Sequence, residues 1–135
     1  MVAAVAQRIH RDHQGVDVSA AVFRHWPRDR DGIGQDWKLW CDQGYLDFVC
    51  PMDYTPDSRE FDVLVPRQQQ WAGSVPCFPG IGLSTWQDPA DMVTLIRQIL
   101  ITRRHQTGGF TIFQYDFAAA NEVLPACGRG ITRRE

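Results

Sequence analysis

Val16-Asp17-Val18-Ser19-Ala20-Ala21-Val22-Phe23 followed by Arg24-His25-Trp26-Pro27-Arg28-Asp29-Arg30 is the stretch that decides the fold. Its first eight residues form an apolar, partly β-branched run after Gly15, the pattern of a short buried strand. The seven residues behind it discriminate between architectures. An open doubly wound sheet carries a Gly-rich turn after an early strand, so that backbone can approach a pyrophosphate. Arg24 to Arg30 is too bulky for that, and it is read as a charged loop. In a (β/α)8 barrel the segments behind the strands carry the functional side chains, so polar and aromatic residues belong there.

Three more runs of the same kind follow: Leu46 to Met52, Val75 to Ile81 and Gly109 to Tyr115. Their starts are spaced by roughly thirty residues, the length of one βα unit. Helical patterns fill the intervals. Asp88-Pro89 supplies an N-cap and a first-turn proline, with Asp91 in the first turn, for a helix whose apolar face is Met92, Leu95, Ile96 and Ile99. Arg103, Arg104 and His105 suit its carboxy-terminal dipole, and Gly108-Gly109 ends it. Gln35 to Gln43 presents Trp37 and Trp40, and Arg59 to Trp71 is helical around Pro66. Ala3, Val5, Ala6 and Ile9 predict a helix before the first strand, and Ala118 to Leu124 a short one after the last. Strand and helix in alternation predict an α/β fold with parallel strands covered by helices. Four strands cannot close such a barrel, so the expectation is half of one, over residues 1–127, with a frayed tail at 128–135.

Bulk properties narrow the function. At 135 residues and 44% hydrophobic content the chain suits one domain. A net charge of -2 with scattered arginines offers no basic stripe, so a nucleic-acid partner is not expected. No apolar run reaches membrane-span length. Met1 to Ile9 has neither the basic start nor the cleavage site of a signal peptide, and location is not legible. The four cysteines, Cys41, Cys50, Cys77 and Cys127, form no C-x-x-C pair, and Cys50 and Cys77 sit in strand-like runs. A disulfide or zinc framework is not expected from that spacing. Nor do His10, His13, His25 and His105 assemble a metal set, and no cofactor is called for.

The segments Val18 to Phe23, Gly34-Gln35-Asp36-Trp37 with Trp40, and Gly44 to Val49 running into Pro51-Met52-Asp53-Tyr54 resemble the glycosyl-hydrolase-like family 10 domain. Pro79-Gly80-Ile81-Gly82 and Gly108-Gly109-Phe110 leading to Phe113-Gln114-Tyr115 continue the resemblance in order, over Val16 to Phe117. It implies the last four strands of a TIM barrel and the hydrolysis of glycosidic bonds in a polysaccharide or cell-wall glycan. The acid/base carboxylate that barrel glycosidases commonly carry on strand four would then lie outside this sequence.

Glycoside hydrolysis uses two carboxyl groups flanking the scissile bond. The strand-end candidates are Asp53 and Asp116, either of which also suits a loop cap or a salt bridge. Asp47, at the start of its strand, belongs to the stabilising end of a barrel. Trp26, Trp86 and Tyr115 behind the first, third and fourth strands would make a platform for sugar rings, with Tyr54 and Gln114 as polar neighbours. Trp37, Trp40 and Trp71 fall in helices and are expected to pack against the sheet. The expected partner is a carbohydrate substrate. The alternative class is a non-catalytic glycan-binding or remnant barrel fragment. A chemistry on phosphorylated substrates would need a phosphate site after the last strands, for which Gly80 to Gly82 gives weak support. Because the strands Val16 to Phe23 and Gly109 to Tyr115 would be unprotected edges, either a missing amino-terminal barrel half or a second copy in a homodimer is expected beside them.

Overall fold

The apolar runs yield short strands, the third only from the end of its run, in a computed structural model that describes residues 1–83 and 92–132. The strands are β1 (Ser19–Val22), β2 (Phe48–Pro51), β3 (Gly80–Gly82) and β4 (Thr111–Phe113). β3 is much shorter than the run Val75 to Ile81, because Pro76 and Pro79 have no N–H to give to a ladder. β1 pairs parallel with β2, and β3 parallel with β4. Isolated parallel bridges at Val49–Cys77 and Met52–Gly80 stand between the two pairs. The class is therefore α/β with parallel strand pairs.

The helices are α1 (Val2–Asp12), α2 (Trp26–Ile33), α3 (Trp37–Asp42), α4 (Ser58–Ala72), α5 (Met92–Arg104) and α6 (Leu124–Arg129), the last entered through a π-helical turn at Ala119–Val123. Two sequence expectations change here. The segment Arg24 to Arg30, expected as a loop, is largely α2. Pro27 presets the first turn, the Asp29 carboxylate accepts the His25 N–H at 2.9 Å, and Gly34 stops the helix at φ 72. The apolar face of α5 is also rotated. Leu95 and Ile99 are buried, but Ile96 is exposed and Thr94, Gln98 and Thr102 are buried in its stead. Its expected cap, Asp88, Pro89 and Asp91, lies outside the described residues. Of the described tail residues, Gly128 and Arg129 belong to α6, and Ile131 packs on the core with its carbonyl accepting from Arg103.

Helix packing separates two cores. Phe61, Val65, Ile81, Leu95, Ile99 and Val123 form one around α4, α5 and β3. Val22, Trp37, Cys41, Leu46, Val49 and Cys77 form the other beneath α3. Trp37 is fully buried, and its indole donates to the Phe23 carbonyl at 3.1 Å. Trp71 packs on Trp37 and Trp26, at centroid distances of 6.0 and 5.8 Å.

Alternation along a strand sends every second side chain to the opposite face, and parallel partners share a face. Val22 and Val49 point to the helices, so Ser19, Ala21, Phe48 and Cys50 stand on the other side. Met52, Gly80, Thr111 and Phe113 continue that inner face. No helix covers it among the described residues. Gly80 is what lets it close over β3: a Cβ there would lie 2.7 Å from the Pro51 carbonyl oxygen and 3.3 Å from the Tyr54 ring. With no side chain in the way, Tyr54 stacks on Phe113 at 5.0 Å and 15°.

Candidate functional site

The carboxy-terminal ends of the strands gather the chemistry-bearing residues, and they sort into a buried polar layer and an exposed aromatic rim. Asp53 anchors the layer. It follows Met52, whose partner Gly80 is on the inner face, so Asp53 turns toward the helices and is fully buried. Gln68 of α4 donates from Nε2 to Asp53 Oδ1 at 2.6 Å and to the Arg24 carbonyl at 3.2 Å. Both partners accept, which fixes the amide orientation. Gln98 of α5 donates to the Thr55 carbonyl at 2.8 Å. Two buried glutamines, one on α4 and one on α5, thus clamp the segment behind β2. The Thr55 hydroxyl donates to Glu60 at 2.6 Å, and Arg24 pairs with Glu60 at 3.3 Å, tying the segment behind β1 to the same layer.

The layer is not fully paired. Among the described residues, Asp53 Oδ2, Gln68 Oε1 and Gln98 Oε1 are buried without a hydrogen-bond partner. Burial pushes the Asp53 carboxyl from 3.8 up to about 7, against the opposing Gln68 hydrogen bond and the nearby Arg24 charge. His25 at the end of β1 is shifted the other way: burial, then Arg24 and Arg28, lower it and favour the neutral ring. Burial raises Cys50, whose thiol accordingly lacks the thiolate character of a nucleophile.

The rim comes from the other end of the chain. Phe113, Tyr115 and Phe117 are exposed by 44%, 78% and 81%. Gln114 between them is exposed as well. Asp116 accepts the Ala119 N–H at 2.8 Å and so caps the turn into α6.

The sequence candidates therefore separate. Asp53 and Tyr54 are neighbours in sequence on opposite faces of the sheet, one buried under α4 and the other stacked on the rim at Phe113. Gln114 and Tyr115 lie on the rim and Asp116 is engaged as a cap. Trp26 opens α2, donates its indole N–H to Asp36 at 2.7 Å and carries Arg30 over its ring at 5.1 Å. Trp86 lies outside the described residues. Asp47 sits at the opposite end of the strands, accepting from the Val18 N–H at 2.6 Å and bonded to His10 at 2.9 Å. Sequence reading missed Gln68, Gln98, Phe113 and Phe117. Gln68 was visible as a polar interruption of the apolar stripe Phe61, Leu64, Val65 and Ala72; Gln98 was not, because it lies off the face expected for α5. The last two stand two residues on either side of Tyr115, Phe113 at the end of β4 and Phe117 beyond it.

The larger concavities do not coincide with this chemistry. One of 520 Å³ is lined by Thr102, Arg103, Thr107, Gly108, Gly109 and Phe110, at the amino-terminal end of β4. Another of 420 Å³ adjoins it at Gly73 to Phe78. Neither is lined by a carboxylate. A third, of 440 Å³ between α4 and α5, is lined by Asp57 and Asp62 with Arg59, Arg97 and Arg104. Asp57 caps α4 and Asp62 is paired with Arg104 and His105, so the strand ends remain the better candidate. Compared with known proteins, the chain matches no family model, no curated protein and no solved structure.

Proposed function

We propose that the chain is a glycan-binding half of a (β/α)8 barrel of the glycoside-hydrolase-like type, supplying an aromatic rim to a carbohydrate site. The observation that carries this is the set Phe113, Tyr115 and Phe117, three large exposed rings at alternate sequence positions from the end of the last strand onward. Exposed rings are poor packing but good binding surface, because their flat apolar faces fit the C–H faces of sugars. Gln114 and Tyr54 place hydrogen-bonding groups beside them. The half-barrel reading is supported by the parallel pairs β1–β2 and β3–β4, with bridges between β2 and the segment ending in β3.

Hydrolysis by this chain is a second reading, with Asp53 and Asp116 as the carboxyl pair. What favours it is the Asp53 carboxyl, shifted to about 7, a value suited to acid/base work near neutrality. Against it, Asp53 has no solvent-facing surface and Asp116 is spent on a cap. Binding therefore leads, and turnover requires a carboxylate from elsewhere.

The test is affinity electrophoresis through gels containing soluble β-glucan, xylan or chitosan, with a peptidoglycan pull-down alongside. Wild type is retarded or captured by at least one, and Tyr115→Ala and Phe117→Ala each weaken that binding about tenfold, the equivalent of ~1.4 kcal/mol of lost stacking. Absence of binding to all of them, or variants that bind like wild type, overturns the reading. Reducing-sugar release that is lost in Asp53→Asn would move the conclusion to hydrolysis.

A further inference from the structure

We propose that the uncovered inner face is closed by a second copy of the chain, giving an eight-stranded barrel with a two-fold axis along its centre. The inference rests on the half-barrel reading above. Four observations lead to it. First, among the described residues β1 pairs only with β2 and β4 only with β3. The carbonyls of Val18 and Val22 are taken by the segment of β2, so the N–H and C=O of Ala21 point to the free edge. On β4, Thr111 and Phe113 bond toward β3, which leaves the backbone of Ile112 facing outward. Second, the inner face carries Ser19, Ala21, Phe48, Cys50, Met52, Thr111 and Phe113, none of them charged, so nothing on it opposes burial.

Third, the chain as a whole exposes more surface than a closed fold of its mass. A folded monomer of 15.4 kDa is expected to expose about 7,200 Å². This chain exposes 8384 Å², an excess of roughly 1,200 Å². Stable dimers bury about 800 Å² per partner, and obligate ones more. Fourth, symmetry selects the occupant. An axis along the barrel sets β4 of one copy beside β1 of the other, twice, keeps every strand parallel and leaves no edge. It also brings both aromatic rims to the same mouth. Tyr115 and Phe117 of the two copies then border one opening, so the glycan bed proposed above is composite and complete only in the dimer.

The experiment is light scattering on a size-exclusion column, from micromolar to hundreds of micromolar chain, with four proteins. Wild type is expected at twice 15.4 kDa. Ala21→Pro removes the edge N–H, and Phe113→Lys puts a charge on the inner face; both are expected at the monomer mass with unchanged far-ultraviolet circular dichroism. Val63→Lys, on the exposed side of α4, keeps the dimer mass. A wild-type monomer, open-ended oligomers, or an Ala21→Pro protein that still dimerises would each overturn the inference. A monomer that still binds glycan would refute the second copy while leaving the binding function standing.

Discussion

Asp53→Asn should reverse its effect on stability between acid and alkaline pH. In the fold the Asp53 carboxyl is raised from 3.8 to about 7, chiefly by burial. A raised carboxyl favours the folded state while protonated, so its contribution is fully present below 3.8 and is lost as pH rises through about 7. At about 1.4 kcal/mol per pH unit, a displacement of roughly three pH units costs about 4 kcal/mol above neutrality. That is a large share of the 5–15 kcal/mol typical of a domain. Asparagine keeps the shape and the acceptor for Gln68 but cannot ionise. It introduces a buried N–H pair where Oδ2 has no partner, at about 1–3 kcal/mol. The variant is thus expected to be less stable than wild type at pH 4.5 and more stable at pH 8. Urea unfolding at half-unit steps of pH measures this directly. The difference between the two proteins should shift by about 3 kcal/mol in the variant's favour from pH 5 to pH 8. His25 contributes with the opposite sign, since a lowered imidazole destabilises as pH falls, but it is common to both proteins and cancels. Parallel curves for the two proteins would refute the burial of an uncompensated carboxyl at this position.

Two further outcomes follow from the same geometry. Gly80→Ala drives a Cβ to 2.7 Å from the Pro51 carbonyl, a backbone atom that cannot swing aside, and should cost about 1–3 kcal/mol in thermal or urea unfolding. Because that Cβ also crowds Tyr54, the near-ultraviolet dichroism of the stacked Tyr54–Phe113 pair should change with it. Asp36→Ala removes both the cap of α3, accepted from Leu39 at 3.3 Å, and the Trp26 indole bond at 2.7 Å. It should lower stability by about 1–2 kcal/mol, whereas Asp36→Asn should recover most of that loss.

What the sequence by itself determined was periodicity and punctuation. Apolar runs separated by one βα length placed β1, β2 and β4, while β3 starts only at the end of its run, and Gly44 and Gly108 marked where helices give way to strands. Those signals are local, set by backbone geometry and side-chain alternation within a few residues. They could not show that Arg24 to Arg30 would coil into α2, because its docking depends on Trp26 finding Trp71, far along the chain. Nor could they set the strand lengths, which need two neighbours in register, or the rotation of α5 that buries Gln98 in place of Ile96. The site shows the same division. Asp53 and Tyr54 were legible as strand-end residues of suitable chemistry. Only the tertiary structure sent one beneath Gln68 and the other onto Phe113, because adjacent residues at a strand end leave on opposite faces. What lies on each face is fixed by chain segments 15 and 59 residues away.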